Sequence, residues 1–593
     1  MTSTGHNGRP DGGNIGTERP LAARAARWAG EFPQHPAYTF VDYSTDQAGV
    51  HHTLTWESVH RRACAVAARV RHVVAPGERA AILTPQGLDY VVAMLGTMYA
   101  GVIAVPVSSP DLPGHTERLR ATFADCDPQC VLTNTAALQR VSRFLHEQPV
   151  PAVKEVIAVD EVDGTLADSW PGELPPTDAI AYLQYTSGST RSPAGVEITH
   201  ANMAANARQV EAAFIDGEPT LVSWLPLFHD MGLILTIALP LLYGNQAVFT
   251  DPMAFIMTPA RWLRLLGEHS GVITAAPNFA YDYCVSRVPD RDKRGLDLSG
   301  VRVCVNAAEP VRAATVERFN AAFGDCGLAP EAHSTAYGLA EATVYVSAES
   351  PRHRSVVTAF DRDALAAGHA QPAAADDERA SRLVSCGTPS GQRVAIVDPQ
   401  TGVPLPAGQV GEIWVHGPNV ARAYWRQPQR SAEVFAATMA QPGADAPAGP
   451  WLRTGDLGVE HEGALYVTGR LKDLVIVDGR NHYPQDIEAT AQAAHTALRR
   501  DHLAAFAVPG EGGEGVVVVG ERSTRLSATE CDPVDVAVSV RRAVASQHDL
   551  RLYDFVLVEP ASVPRTSSGK VARRACRQLY LDGKFDGPAG RQA

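Results

Sequence analysis

From about residue 37 onward, short β-branched runs alternate with amphipathic helical stretches, and this alternation constrains the fold more than any other property of the chain. Strand-like runs fall at 79–83, 102–107, 130–133, 180–184, 246–250, 272–275 and 301–305. Helical patterns such as 57–73 and 258–268 lie between them. A strand that returns to its sheet through a helix pairs in parallel, so the expected class is α/β, with layered and largely parallel sheets.

The pattern changes after Cys386. Short runs at 394–397, 412–415 and 464–467 are separated by Gly/Pro turns, as in a small β-rich subdomain over about 386–468. Residues 367–381 are polar and Ala-rich and read as an exposed insertion or loop. From about Gly469–Asp473 the chain starts its own set of strands (504–508, 516–519, 555–558) and helices, which marks a smaller α+β domain over 472–580. A chain of 593 residues exceeds one hydrophobic core. The expected order is therefore a disordered 1–19, a large domain over 20–471, the small domain, and a polar tail at 581–593.

Formal charge excludes some functions. Lys+Arg 52 against Asp+Glu 65 gives −13, which argues against a nucleic-acid-binding surface. Nine dispersed cysteines read as reduced, buried thiols of a cytoplasmic protein, without zinc-ligand spacing. The first 19 residues hold five Gly and no apolar core, unlike a signal peptide. Residues 231–250 carry no formal charge, but Pro240 and Gly244-Asn245-Gln246 interrupt them, so a buried helix and strand are expected there and no transmembrane segment.

One loop carries chemistry. A strand ending at Tyr185 runs into Thr186-Ser187-Gly188-Ser189-Thr190, with a helix expected from near Thr199. Backbone N–H groups and hydroxyls gathered this way suit a phosphate. No Gly-Lys-Ser/Thr follows, so the loop is not a Walker A motif. Alone it reads equally as a surface turn.

Further along stand Asn306-Ala307-Ala308-Glu309-Pro310 after a buried strand and Ser334-Thr335-Ala336-Tyr337-Gly338-Leu339-Ala340-Glu341. They are followed by Trp451-Leu452-Arg453-Thr454-Gly455-Asp456, Gly469-Arg470, and Pro564-Arg565-Thr566-Ser567-Ser568-Gly569-Lys570. In this order and spacing the motifs resemble the adenylate-forming superfamily of acyl-CoA synthetases and peptide-synthetase adenylation domains, over about residues 20–580. Within it the chain is most similar to the fatty acyl-AMP ligases. That similarity rests on Ser223-Trp224-Leu225-Pro226-Leu227-Phe228-His229-Asp230-Met231-Gly232-Leu233, on Ala275-Ala276-Pro277-Asn278-Phe279 and on Gly479-Arg480-Asn481-His482-Tyr483-Pro484. The loop SGSTRSPAGV and the long gap between Glu341 and Gly387 agree with it. In that family an insertion, here about 344–382, restrains the C-terminal domain and is linked to poor use of coenzyme A.

The resemblance implies ATP-dependent activation of a fatty acid to acyl-AMP and pyrophosphate. The acyl group would then pass to the phosphopantetheine thiol of a separate acyl carrier protein, or of a carrier domain in a polyketide or peptide synthase. Residues 186–190 would hold phosphates, and Glu341 would bind Mg²⁺. Tyr337 would stack on adenine, framed by Gly338 and by Ala308, Glu309 and Pro310. Asp456 would take the ribose hydroxyls, with Arg470 nearby. Lys570 would swing in with the C-terminal lid domain to bridge carboxylate and α-phosphate. His229 would act beside the site, and Met231, Gly232, Leu233 and Ile234, with Asn278 and Phe279, would line the acyl channel.

This chain departs from the superfamily at Ala194, where coenzyme A ligases usually have Lys, and at Ala340, Ala307 and Ala423. The first two fit the fatty acyl-AMP ligases. Two other readings remain: a fatty acyl-CoA synthetase, and a non-catalytic nucleotide-binding regulator on the same fold, against which the joint presence of Glu341, Asp456, Arg470 and Lys570 argues.

Overall fold

The computed structural model describes residues 19–110, 116–185, 193–377, 379–443, 446–477, 479–510, 513–527, 531–566 and 569–585. Two α/β sheets dominate the first two-thirds. A six-stranded sheet runs Glu155–Ala158, Cys130–Thr133, Arg79–Ile82, Ile103–Pro106, Ile180–Tyr185, Gly195–Thr199. A nine-stranded sheet contains Leu221–Ser223, Val272–Ala276, Val301–Asn306 and His333–Tyr337 side by side and parallel. Val272–Ala276 is buried on both faces and reads as a continuous apolar run, whereas His333–Tyr337 is equally buried with a largely polar sequence.

Two local features differ from the sequence reading. Residues 195–199 form a strand antiparallel to Ile180–Tyr185, so residues 186–192 join two strands and do not lead straight into a helix. The helix expected from near Thr199 is His200–Phe214, capped by Thr199: the Thr199 side chain accepts from the Asn202 N–H, and the Asn202 side chain accepts from the Thr199 N–H. The 186–190 loop itself lies outside the described residues.

The second is Pro240, which does not end its helix. The segment runs Asp230–Leu233, a π turn at Ile234–Ala238, then Leu239–Tyr243, and Gly244 in the left-handed region closes it. A widened turn tolerates a proline that cannot supply the regular N–H bond. The strand Ala247–Thr250 follows. Among the described residues no helix is long and apolar enough to cross a membrane.

The described residues of 367–379 are largely exposed, as expected, but the wider insertion of about 344–382 also contributes strands and core anchors. Ser347–Ala348 extends the nine-stranded sheet, and Val357–Phe360 pairs with Ser381–Val384. Phe360 and Leu365 are fully buried and pack with Leu457, Val459, Tyr466 and Tyr483. Both anchors precede the Ala-rich stretch 367–381. The four-stranded antiparallel sheet Arg393–Val397, Gly411–His416, Leu452–His461, Ala464–Arg470 follows. Its third strand includes the Thr454-Gly455-Asp456 segment, with Gly455 at φ +71° beside a break in register opposite Glu412 and Trp414.

In the C-terminal region Leu498–Gly510, Gly513–Arg522 and Leu552–Val558 form a sheet. Val536, Val540 and Val544, spaced at four residues, pack the helix Pro533–His548 onto one face with Ile487 and Ala491. Cys576 packs the last helix, Arg573–Leu581, on the other face. All nine cysteines are free and buried.

Candidate active site

The loops at the carboxyl ends of the parallel strands meet at one edge of the nine-stranded sheet, where open α/β sheets bind ligands. They are 224–229 after Leu221–Ser223, 277–279 after Val272–Ala276, 307–310 after Val301–Asn306 and 338–341 after His333–Tyr337. Ala308 holds φ +76° and Thr343 φ +67°, a conformation that side chains other than Gly rarely adopt and that clusters at working sites. Gly338 is required sterically: a Cβ there would lie 1.6 Å from the Val344 carbonyl oxygen.

The four-stranded sheet supplies the opposite wall. Its register places Asp456 against Arg470, and Arg470 Nε donates to Asp456 Oδ1 at 3.1 Å. The Tyr337 hydroxyl donates to Asp456 Oδ2 at 2.8 Å. Burial and the neighbouring Asp456 charge push the Tyr337 hydroxyl well above its ordinary range, so it stays a donor. Buried Glu412 fixes the turn before Asp456, accepting from Gly455 N at 3.1 Å and from Arg453 Nη2 at 2.8 Å.

The C-terminal region forms the third wall, and Lys570 stands in the site. Burial, helped by Arg470, pushes its ammonium down, while Glu309, Asp230 and Asp456 pull it up. Next to it, Gly569 at φ +80° closes on Phe279, where a Cβ would come within 3.1 Å of the ring. His229 Nδ1 lies 2.7 Å from Asp230 Oδ1. Burial alone would raise the Asp230 carboxyl, but His229, Lys570 and the Met231 N–H outweigh it and hold it below the usual range.

These groups line a cavity of about 1170 Å³. Among the residues singled out from sequence, it brings together Ala308, Glu309, Pro310, Tyr337, Gly338, Glu341, Asp456, Arg470, Lys570, His229, Met231 and Phe279. Three others lie off it. Leu233 is fully buried in the core. Gly232 serves packing, since a Cβ would sit 2.2 Å from the Pro226 carbonyl oxygen. Asn278 braces the wall, donating to the Pro310 carbonyl at 2.9 Å and accepting from Arg312 N at 3.1 Å. Ile234, also expected from sequence, lines the cavity's apolar end together with Val210, Phe214, Leu235, Leu239 and Tyr345. Val210 and Phe214 share a helix face at four-residue spacing, a signal present in the sequence.

Glu341 carries a partner the sequence did not suggest. Its Oε1 accepts from the Tyr424 hydroxyl at 2.7 Å, and the Arg430 guanidinium lies 4.1 Å from that ring's centre. Among the described residues no cluster of three or more His, Cys, Asp or Glu could hold a metal by itself. One carboxylate plus phosphate oxygens and waters is how Mg²⁺ is commonly held in phosphoryl chemistry, so Glu341 fits that ion.

Residues 25–425 match the family model described as AMP-binding enzyme, and residues 472–587 match that of the Disco-interacting protein 2-like AMP domain. The long-chain-fatty-acid–AMP ligase FadD26 of Mycobacterium marinum is 44% identical over 96% of this chain and 98% of its own length. The 4-hydroxyphenylalkanoate adenylyltransferase of Mycobacterium tuberculosis is 43% identical over 96% of this chain and 93% of its own. The solved fatty acyl-adenylate ligase from L. pneumophila, in complex with acyl adenylate and pyrophosphate, has a TM-score of 0.72 and 34% identity, covering 95% of this chain and 96% of its own.

Proposed function

The chain belongs to the AMP-binding enzyme family, and from that footing we propose that it activates a fatty acid as acyl-AMP and hands the acyl group to the phosphopantetheine thiol of a separate holo-acyl carrier protein. The observation that carries the reading is one cavity that joins a polar end, with Tyr337, Glu341, Asp456, Arg470 and Lys570, to an apolar end closed by Val210, Phe214 and Leu239. A nucleotide suits the first, and an alkyl chain suits the second.

In the first step a carboxylate oxygen forms a bond to the α-phosphorus, and the bond to the departing pyrophosphate breaks. The carboxylate is a weak nucleophile, so positioning and charge stabilisation supply most of the rate. A carboxylate offers about four lone-pair sites. On Asp456 Tyr337 and Arg470 occupy two, which leaves two for the pair of ribose hydroxyls. The Tyr337 ring offers adenine a face. Lys570, beside Asp230, Glu309 and Asp456, brings its ammonium to the join between the substrate carboxylate and the α-phosphate. Glu341 would hold Mg²⁺, which would supply positive charge to offset that on the phosphates.

The docked C-terminal domain keeps water from the reacting centre. Contacts from the expected insertion, about 344–382, to that domain support the reading: Arg362 donates to the Gln547 carbonyl at 2.6 Å, and Ser381 Oγ donates to Asp486 Oδ2 at 2.9 Å. Ala194, where a lysine is customary in coenzyme A ligases, is buried in the core and contributes no cation. Both features favour a carrier-bound thiol over free coenzyme A. Pyrophosphate release followed by thioester detection, with coenzyme A and holo-carrier as competing acceptors, tests the reading. Efficient acyl-CoA formation would overturn the acceptor assignment.

A further inference from the structure

A chain of polar contacts along one wall of the cavity ties the Lys570 loop to the large domain. Asp282 anchors it, accepting from Arg318 Nη2 at 2.6 Å, Thr315 Oγ1 at 2.7 Å and Arg312 Nη2 at 3.4 Å. The Arg312 backbone is fixed in turn, since its N–H donates to Asn278, which also holds Pro310. From this base Arg312 Nη1 crosses to the C-terminal domain and donates to the Asp501 carboxylate. Asp501 projects from a break in register of the strand Leu498–Gly510, at φ +62°. A side chain in that conformation is strained, which is expected where surrounding contacts hold it for a purpose. Arg565 completes the chain: Nη2 donates to the Asp501 carbonyl and Nη1 to the Gly569 carbonyl, one residue before Lys570.

We propose that Arg312, Asp501 and Arg565 form an interdomain latch whose closure positions Lys570 for adenylate formation, and that thiol transfer does not need it. The proposal rests on the functional reading above. Within the C-terminal domain the link from Asp501 to Lys570 is through Arg565 and backbone, so it moves as one piece. In this chain of contacts the step across the domains is the pair Arg312–Asp501, with side-chain exposures of 37% and 21%, while Arg362–Gln547 and Ser381–Asp486 cross elsewhere. A partly exposed pair shifts an equilibrium by only several-fold. It can favour the arrangement that places Lys570 without locking the domain there, which a two-step reaction on one site requires. Arg312 and Asp501 are positioning residues, acting on the reacting atoms through Arg565 and the Gly569 turn.

The experiment uses the full chain with Arg312→Ala, Asp501→Asn and Asp501→Glu. In the first two, hydrogen exchange of the peptide that carries Gly569 and Lys570 should quicken, while the core strand Gly513–Arg522 keeps the parent's protection. Their kcat for pyrophosphate release should fall about fivefold with KM for ATP near the parent's, and transfer from pre-formed acyl-AMP to holo-carrier should stay at the parent's rate. Asp501→Glu, which retains the carboxylate, should remain within about threefold. Unchanged exchange around Lys570, or equal loss in both half-reactions, would overturn the latch. Exchange is read without substrate, so a failure of the latch is distinguishable from a failure of the functional reading, which would show as a parent chain that releases no pyrophosphate with any fatty acid.

Discussion

The Tyr337 hydroxyl donates to Asp456 Oδ2 at 2.8 Å, joining the end of a central parallel strand to the bulged strand of the small antiparallel sheet. One residue presents an aromatic face and the other an ionised carboxylate, so the pair can read adenine and ribose together. Tyr337→Ala should weaken ATP binding by about 1–3 kcal/mol, as loss of a base-stacking ring does. Tyr337→Phe keeps the ring and should retain most of that affinity. Calorimetric titration with ATP checks this; equal losses in the two variants would rule out stacking as the ring's role.

Lys570→Ala should cut adenylate formation by at least about a hundredfold, the scale for losing one preorganised charge at a reacting centre. ATP binding should stay nearly intact, because Tyr337 and Asp456 sit on the large domain. Pyrophosphate release at the parent's rate in this variant would remove Lys570 from the chemistry.

Glu341→Gln should raise the Mg²⁺ concentration for half-maximal pyrophosphate release by at least about tenfold. Tyr424→Phe, which frees Glu341 Oε1, should shift it less. Titration of the rate with Mg²⁺ reads both effects. Identical metal dependence in parent and Glu341→Gln would contradict the assignment.

The acyl end should respond to depth. Val210→Trp adds bulk at a cavity-lining position and should shift preference toward shorter acids. Each buried methylene contributes about 0.8 kcal/mol, so the loss per excluded carbon should approach fourfold in kcat/KM. An unchanged chain-length profile would place the acyl chain elsewhere.

His548, buried in the C-terminal core with Nε2 at 2.8 Å from Thr490 Oγ1, is pushed by burial, and then by Arg362 and His482, from 6.5 to about 3. Between these values the unfolded chain binds a proton that the folded chain does not, so stability falls as pH drops through 6.5. This one group should account for about 1.4 kcal/mol lost between pH 7.5 and 5.5. Chemical denaturation of His548→Gln should show that much less pH dependence; an unchanged slope would contradict the neutral His548.

The succession of parallel strands was legible because strands such as Val272–Ala276 are buried on both faces and keep an apolar run over their whole length. Asp456 and Tyr337 could be singled out from local motifs, since each sits beside a glycine that shapes its turn. The strand Gly195–Thr199 was not legible: its five residues resemble a helix approach, and only pairing with Ile180–Tyr185 makes them extended. Gly232 and Leu233 lie in a motif next to the site, yet helix orientation turns them to the core and brings Leu235 and Leu239 to the cavity. The Tyr424–Glu341 and Arg312–Asp501 contacts join residues 83 and 189 positions apart, and no local pattern announces them.

The most direct test of the account is mass-spectrometric detection of acyl-AMP from the purified chain with ATP, Mg²⁺ and saturated fatty acids of increasing length. The account predicts acyl-AMP with a defined optimum in chain length and equimolar pyrophosphate. ATP binding without acyl-AMP from any acid in the series would contradict it.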